Sequence, residues 1–262
     1  MFVADRFPST GVQDIQKRIK SPEGKIRVGY FSSDFKNHPV GILMLNLIQA
    51  HDRSKFEVLG FFLNKKSGDE VEQGLIASFD RTFDLFGLND VAAKNLVLEQ
   101  ELDIAIDLNG HTAGAWTGLF AKKIAPIQIN YLGYAGTSGA DFYDCLIADL
   151  VAIPKAHEMH YTEKIARLPH SFFPVDTSIS PDEFGELPTR ESQGLPQAGF
   201  IFSCFNNPYK ITPQIFDLWM RLLKQVPESV LWLSKTSEKA MQNLQSEAVA
   251  RGIDSNRLVF AT

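Results

Sequence analysis

A histidine and an aspartate stand four residues apart in Ser32-Ser33-Asp34-Phe35-Lys36-Asn37-His38-Pro39, where an apolar run gives way to a polar loop and then to a helical pattern. Such a loop can set an imidazole beside a hydroxyl nucleophile or a phosphate at the N-terminus of the helix that follows. The plainer alternative is a loop whose Asp34 and Asn37 satisfy turn amides. Asn109-Gly110-His111-Thr112-Ala113-Gly114 adds a second imidazole and two glycines that admit a ligand close to the backbone; its ordinary counterpart is a strand-to-helix turn. Gly133-Tyr134-Ala135-Gly136-Thr137-Ser138-Gly139 lacks the spacing of the dinucleotide fingerprint, yet it presents several N–H groups to an anionic or amide-bearing ligand. Phe205-Asn206-Asn207-Pro208-Tyr209-Lys210 places a lysine just ahead of a capped helix, a natural partner for a diphosphate, against the reading of a solvated surface lysine. His157-Glu158-Met159-His160 is one residue short of the zinc-protease helix motif, and no Ser, Cys or Thr lies in a nucleophile-elbow context.

These loops need a scaffold, and the pattern between them supplies one. Apolar runs at 26–32, 56–63, 83–88, 103–108, 127–132 and 144–149 alternate with helical stretches around 43–48, 71–79 and 90–101. Continuous apolar strands separated by helices predict a parallel sheet covered on both faces, and ligands of such sheets bind at the carboxyl ends of the strands. Residues 1–24 read as a polar helical lead-in, 25–179 as a first domain, and 180–199, rich in Pro, Gly and charge, as a linker. From residue 200 the rhythm restarts: a strand at 200–205, a helix opened by Thr212-Pro213, a strand at 229–234, a helix from Glu238 to Arg251 stopped by Gly252, and a strand at 257–261. Three parallel strands leave much of a sheet uncovered, so the second domain, 200–262, is expected to be incomplete.

The chain has 262 residues, 44% of them hydrophobic, which is enough for one large or two modest cores. Its 26 basic and 31 acidic residues are spread without a basic stripe, giving no electrostatic argument for nucleic acid. No run approaches the length of a membrane span and the N-terminus has no apolar leader core. With only two cysteines, Cys145 and Cys204, each in an apolar run, the expectation is a soluble cytoplasmic protein with buried thiols.

Taken in order, RVGYFSSDFKNHPVG, DLNGHTAGAW, APIQINYLGYAGTSGADFYDCLIAD, EKIARLPHSFFP and FNNPYKITPQIFDLWMRLLKQVPESVLWL closely resemble the catalytic region of the O-linked N-acetylglucosamine transferase family, which includes the Spindly-like proteins. The likeness runs from about Lys25 to Thr262 and is to bacterial members above all. It implies an α/β fold of GT-B type, with two Rossmann-like parallel-sheet domains of which the second is truncated. It also implies an inverting transfer of N-acetylglucosamine from UDP-GlcNAc to Ser or Thr of proteins, with no cofactor and no metal. By matching to the family motifs, His38 falls in the active site, with Asp34 and Pro39 in the same motif. Lys210 matches the lysine that contacts the donor diphosphate and is needed for activity. Asn207 and Tyr209 fall beside the nucleotide and sugar, Leu132 and Gly133 near the sugar's N-acetyl group, and His111 where the family often has tyrosine.

The sequence departs from the family at Ala135, where many members carry proline. The helical repeats that recruit acceptors in the family are expected upstream in a longer protein. So is a family segment that brings another active-site histidine. Partners implied by the resemblance are a nucleotide-sugar donor and protein acceptors, without nucleic acid or membrane. Alternatives left open are a Spindly-like fucosyltransferase using GDP-fucose, a non-catalytic nucleotide-sugar or protein-binding module, and a sugar-nucleotide epimerase of the same fold.

Overall fold

The computed structural model describes residues 3, 6, 7, 24–177 and 185–261, so most of the expected helical lead-in and the start of the expected linker lie outside the described residues. The chain divides into two compact units, Met1–Ser178 and Ile179–Thr262. In the first, strands β1 (Ile26–Ser32), β2 (Phe56–Phe62), β3 (Arg81–Asp84), β4 (Ile104–Asp107), β5 (Ile127–Tyr131), β6 (Cys145–Ala148) and β7 (Lys164–Arg167) form one sheet in the order β3-β2-β1-β4-β5-β6-β7. Every pairing is parallel. The order reverses between β1 and β4, and at such a switch point a doubly wound sheet opens a crevice at its carboxyl edge.

Alternation along the strands divides the core in two. Phe31, Leu59, Phe61 and Ala105 point to one face, under helices α3 (Asp90–Leu98) and α4 (Thr117–Phe120). Val28, Tyr30, Val58, Phe62 and Ile106 point to the other, under α1 (Pro39–Gln49) and α2 (Glu70–Ser78). Phe31 stacks on Phe61 at 4.3 Å between ring centroids, and Gly29 leaves the room that Leu102 fills, 2.6 Å from where a Cβ would stand. Helices α2 and α3 open on Asp69 and Asn89, whose side chains accept from first-turn amides.

Two elements differ from expectation. The third strand is Arg81–Asp84 rather than 83–88, because Leu85 turns inward to plug the core and Gly87 adopts φ +81°. Strand β7 has no apolar run to announce it; at the sheet edge it is only half-buried and carries charge at both ends.

The second unit has β8 (Ile201–Cys204), α5 (Pro213–Gln225), β9 (Val230–Leu233), α6 (Glu238–Ala250) and β10 (Leu258–Phe260), in a parallel sheet ordered β10-β9-β8. Thr212 caps α5 by accepting from the Ile215 amide, and Phe216, Met220 and Leu223 pack on Leu231 and Leu233. The described part of the expected linker is folded onto this unit: Leu195 is buried and Arg190 donates to the carbonyls of Pro196 and Gly199.

Phe31 is fully buried between rings on both sides. Its replacement by Ala is expected to lower unfolding free energy by roughly 3–5 kcal/mol. Urea denaturation of the variant beside the parent checks this, and a loss below 1 kcal/mol would contradict the packing described.

Candidate functional site

The carboxyl ends of β1, β4 and β5, neighbours in the sheet, carry three of the loops singled out in the sequence. After β1 the chain doubles back, with the Lys36 amide donating to the Asp34 carbonyl at 2.8 Å and the His38 amide to the Lys36 carbonyl at 2.6 Å. Gly41 makes that fold possible, since a Cβ there would meet the Lys36 carbonyl at 2.3 Å. His38 is the N-cap of α1 in extended backbone, and Pro39 is the first helical residue. The cap is made by the ring: Nδ1 accepts from the Val40 amide at 3.2 Å. A neutral imidazole that accepts at Nδ1 carries its proton on Nε2, so this ring faces outward as a donor. Asp34 Oδ1 lies 3.9 Å from His38 Nδ1, with the carboxylate largely covered and the imidazole 41% exposed.

The loop after β4 begins at Asn109, which is wholly buried, and continues through Gly110 at φ +56°. Asp107 beneath it accepts from the Asn109 amide at 2.9 Å and from the Tyr143 hydroxyl. Burial pushes the Asp107 carboxyl upward, against the downward pull of those donors, and burial likewise raises the Tyr143 phenol. Gly114 packs on Ser33, where a Cβ would stand 2.6 Å from the Ser33 hydroxyl. His111 is exposed, with Nε2 at 2.9 Å from the Ser138 carbonyl and its ring edge-on to Tyr134 at 5.3 Å. Under Gly110 lies the Asn130 side chain, buried and with neither amide atom bonded among the described residues.

After β5 the chain takes an uncommon course. Leu132 is left-handed at φ +69°, and at Gly133 a Cβ would stand 2.0 Å from the Leu108 carbonyl. Only glycine fits there, and a left-handed leucine costs on the order of 1–3 kcal/mol, a kind of strain that clusters at ligand sites. Glu163 then anchors the loop. Its carboxylate accepts from the Ser138 amide at 2.7 Å, from the Ser138 hydroxyl, and from the Thr137 hydroxyl at 2.8 Å. Burial acts to raise the Glu163 carboxyl, but these donors outweigh it and hold it below the usual glutamate range.

In the second unit, Asn207 opens a single turn over Pro208–Lys210, its side chain accepting from the Tyr209 amide at 3.4 Å. Tyr209 and Lys210 are exposed, and Phe205 leans edge-on against Trp232 at 4.8 Å. The structure thus brings His38, Asp34, Pro39, His111, Leu132 and Gly133 to one rim of the first unit, and Asn207, Tyr209 and Lys210 to the loop after β8 of the second. His157 to His160 form an exposed 3₁₀ turn whose Glu158 pairs with Arg167; among the described residues no group of three or more His, Cys, Asp or Glu is placed to hold a metal ion.

Comparison with known proteins decides the family. A model described as glycosyl transferase family 41 matches residues 11–181 and 181–262. The chain belongs to glycosyl transferase family 41. It is 34% identical, over 98% of its length, to a probable UDP-N-acetylglucosamine–peptide N-acetylglucosaminyltransferase, SEC, of Arabidopsis thaliana, and covers 27% of that protein. It is 26% identical to the UDP-N-acetylglucosamine–peptide N-acetylglucosaminyltransferase of Caenorhabditis elegans, covering 31% of it. Among solved structures, an O-GlcNAc transferase mutant (K341M) of Thermobaculum terrenum superposes with a TM-score of 0.87 at 30% identity, over 98% of this chain and 48% of that one. Anabaena Alr3699/HepE shares the fold alone, at 12% identity and a TM-score of 0.53. The fold of this family 41 chain is that of GT-B-type glycosyltransferases, and the chain spans about a quarter to a third of the curated relatives just named.

Glu163 and Asn109 carry weight in this rim that the sequence motifs did not assign. Asn109 was visible as a strand-end residue before glycine; Glu163 had no local signal, because its partners lie 25 and 26 residues away. A carboxyl held low stabilises the fold above the ordinary glutamate range and loses that contribution as pH falls through and below it. Glu163→Gln is therefore expected to be less stable by roughly 1–3 kcal/mol at neutral pH. The gap to the parent should narrow on acidification. Thermal midpoints of both proteins across the acid range test this, and a constant gap would show that ionised Glu163 is not the anchor.

Proposed function

We propose that this family 41 chain is the catalytic part of a protein O-GlcNAc transferase. The reaction is the inverting transfer of N-acetylglucosamine from UDP-GlcNAc to a Ser or Thr hydroxyl of a protein, without a metal or other cofactor. One observation carries the reading: His38, Asp34 and the strained Leu132–Gly133 turn share the rim beside the switch point of the sheet, in a chain whose relatives bear that activity in their names. In the proposed reaction the acceptor oxygen attacks the anomeric carbon as the bond to the diphosphate breaks, UDP leaves, and the hydroxyl proton passes to a phosphate oxygen of the donor or to water. Lys210, with Asn207 and Tyr209, would meet the departing diphosphate and nucleotide, where a fixed positive charge matters most as negative charge develops. Leu132 and Gly133 would face the N-acetyl group. Because its Nδ1 is occupied by the helix cap, His38 would serve through Nε2–H, donating to a substrate oxygen rather than taking the acceptor proton.

The reading extends to organisation and surroundings. Residues 1–24 form a lead-in, 25–179 the first domain, 180–199 the connection and 200–262 the start of the nucleotide-sugar domain, within a longer protein whose helical repeats present acceptors. Among the described residues no helix is long and apolar enough to cross a membrane, and both cysteines are free thiols. The free thiols suit a place in the cytoplasm, and the even spread of charge suits partners other than nucleic acid or lipid.

The experiment is steady-state transfer to a peptide acceptor by the protein that contains this chain. Lys210→Met, shown to unfold at the parent's midpoint, is expected to lose about two to three orders of magnitude in turnover at saturating UDP-GlcNAc. Near-normal turnover would sink the diphosphate role, and transfer from GDP-fucose in place of UDP-GlcNAc would sink the donor assignment. For His38, ¹⁵N spectra of the neutral ring should show a pyridine-type Nδ1 and a pyrrole-type Nε2; the opposite tautomer would remove the donor role.

A further inference from the structure

Asn109 stands at the carboxyl end of β4, on the β4 side of the switch point, with no exposed surface. Its Oδ1 accepts from the Ser33 amide at 2.8 Å. Its Nδ2 faces Ser33 Oγ at 2.9 Å, Thr112 Oγ1 at 3.0 Å and Asp34 Oδ2 at 3.1 Å. Only the Thr112 contact is local; those to Ser33 and Asp34 cross from β4 to the loop of β1, 75 or 76 residues away in sequence. An asparagine that merely closed a strand-end turn would need none of these long-range bonds.

The contact to Asp34 has a direction. With Oδ2 held by Asn109, the other carboxylate oxygen is the one that faces the rest of the loop, 3.9 Å from His38 Nδ1 and 3.8 Å from Lys36 Nζ. The Asp34 amide donates to the Ser32 hydroxyl at 2.9 Å, which holds its backbone in place. Asn109 is itself fixed from below, where its amide donates to Asp107. Asparagine offers both an acceptor for Ser33 and a neutral donor for Asp34 at this reach, whereas aspartate would oppose two carboxylates and serine falls short.

We infer that Asn109 is a positioning residue of the proposed transfer site, which acts by orienting the Asp34 carboxylate toward His38. The inference rests on that functional reading for its consequence in turnover, but not for the contact itself. A residue that acts through another loses its effect when the other is removed, and a double-mutant cycle shows this directly.

The probe is the His38 Cε1–Hε1 cross-peak in the full chain, one of six histidines, assigned by its loss in His38→Gln. Asn109→Ala and Asn109→Ser are both made, so that a folding failure in one leaves the other, and each is repeated in an Asp34→Asn background. Leu108→Val, a fully buried neighbour with an apolar side chain, serves as the packing control. The expected result is a shift of the His38 cross-peak in either Asn109 variant, no further shift once Asp34 is Asn, and none in Leu108→Val. An equal shift in the Asp34→Asn background, or its reproduction by Leu108→Val, would overturn the inference. In the transfer assay kcat should fall by about ten- to a hundredfold, as for a slightly misplaced reacting group, with donor KM within about twofold. Unchanged kcat beside an Asp34-dependent shift would also overturn the positioning role. Absence of any transfer by the parent protein would count against the transferase reading, while the cross-peak cycle would still decide whether Asn109 orients Asp34.

Discussion

A polar group taken out of water must find a partner, and at the carboxyl edge of the first sheet this requirement governs everything else. Ser32, Ser33, Asp107, Asn109 and Asn130 are all buried where β1, β4 and β5 end. Leaving such groups unpaired costs about 1–3 kcal/mol each. The chain answers by routing them into one another: Tyr143 to Asp107, Asp107 to the Asn109 backbone, and the Asn109 side chain to Ser33 and Asp34. The glycines at 110, 114 and 133 follow from the same demand, because the loops must come within bonding distance and a Cβ at any of these positions would collide. Asn130 is the exception, and it lies at the very place where ligands of such sheets bind.

The second unit solves a smaller version of the problem with one side chain. Arg257 donates to the carbonyls of Leu223, Val226 and Ser229, closing the end of α5 and the start of β9. The loop after β8 is built in the opposite manner to those of the first unit. Tyr209 and Lys210 ride on one exposed turn shaped by two backbone bonds and the Asn207 side-chain cap. An accessible lysine suits the diphosphate contact proposed for Lys210, whereas buried, fixed groups suit the proposed reacting centre.

How much of this could be read in advance follows from range. Strands and helices came from runs and periodicity within a dozen residues, and β1, β2, α5 and α6 were legible to within a residue or two. β3 was misjudged because Leu85 is apolar for the sake of a plug, not a strand, and β7 was missed because a half-buried edge strand needs no apolar run. The loops of the rim could be found as polar, glycine-rich interruptions after strands. What could not be found was which residues hold them, since Asn109 and Glu163 work across 25 to 76 residues and leave no periodic trace. His38 was legible as a candidate but not its tautomer, which depends on a cap bond of the fold.

The turn at Leu132–Gly133 and its tether to Glu163 bear on how a ligand would be received. A loop with a left-handed leucine, a glycine pressed on a carbonyl, and three donors gathered on one buried carboxylate has few other shapes to visit. Its shape is set by the fold, and little freedom would remain to be lost were a sugar to rest on it as proposed. Loops that close on arrival give up about 0.5–1.5 kcal/mol for each side chain immobilised, and this one is largely spared that loss. The corresponding trade is in repertoire: a rim already set in one shape discriminates by fit, and a ligand of different outline finds a surface that does not yield.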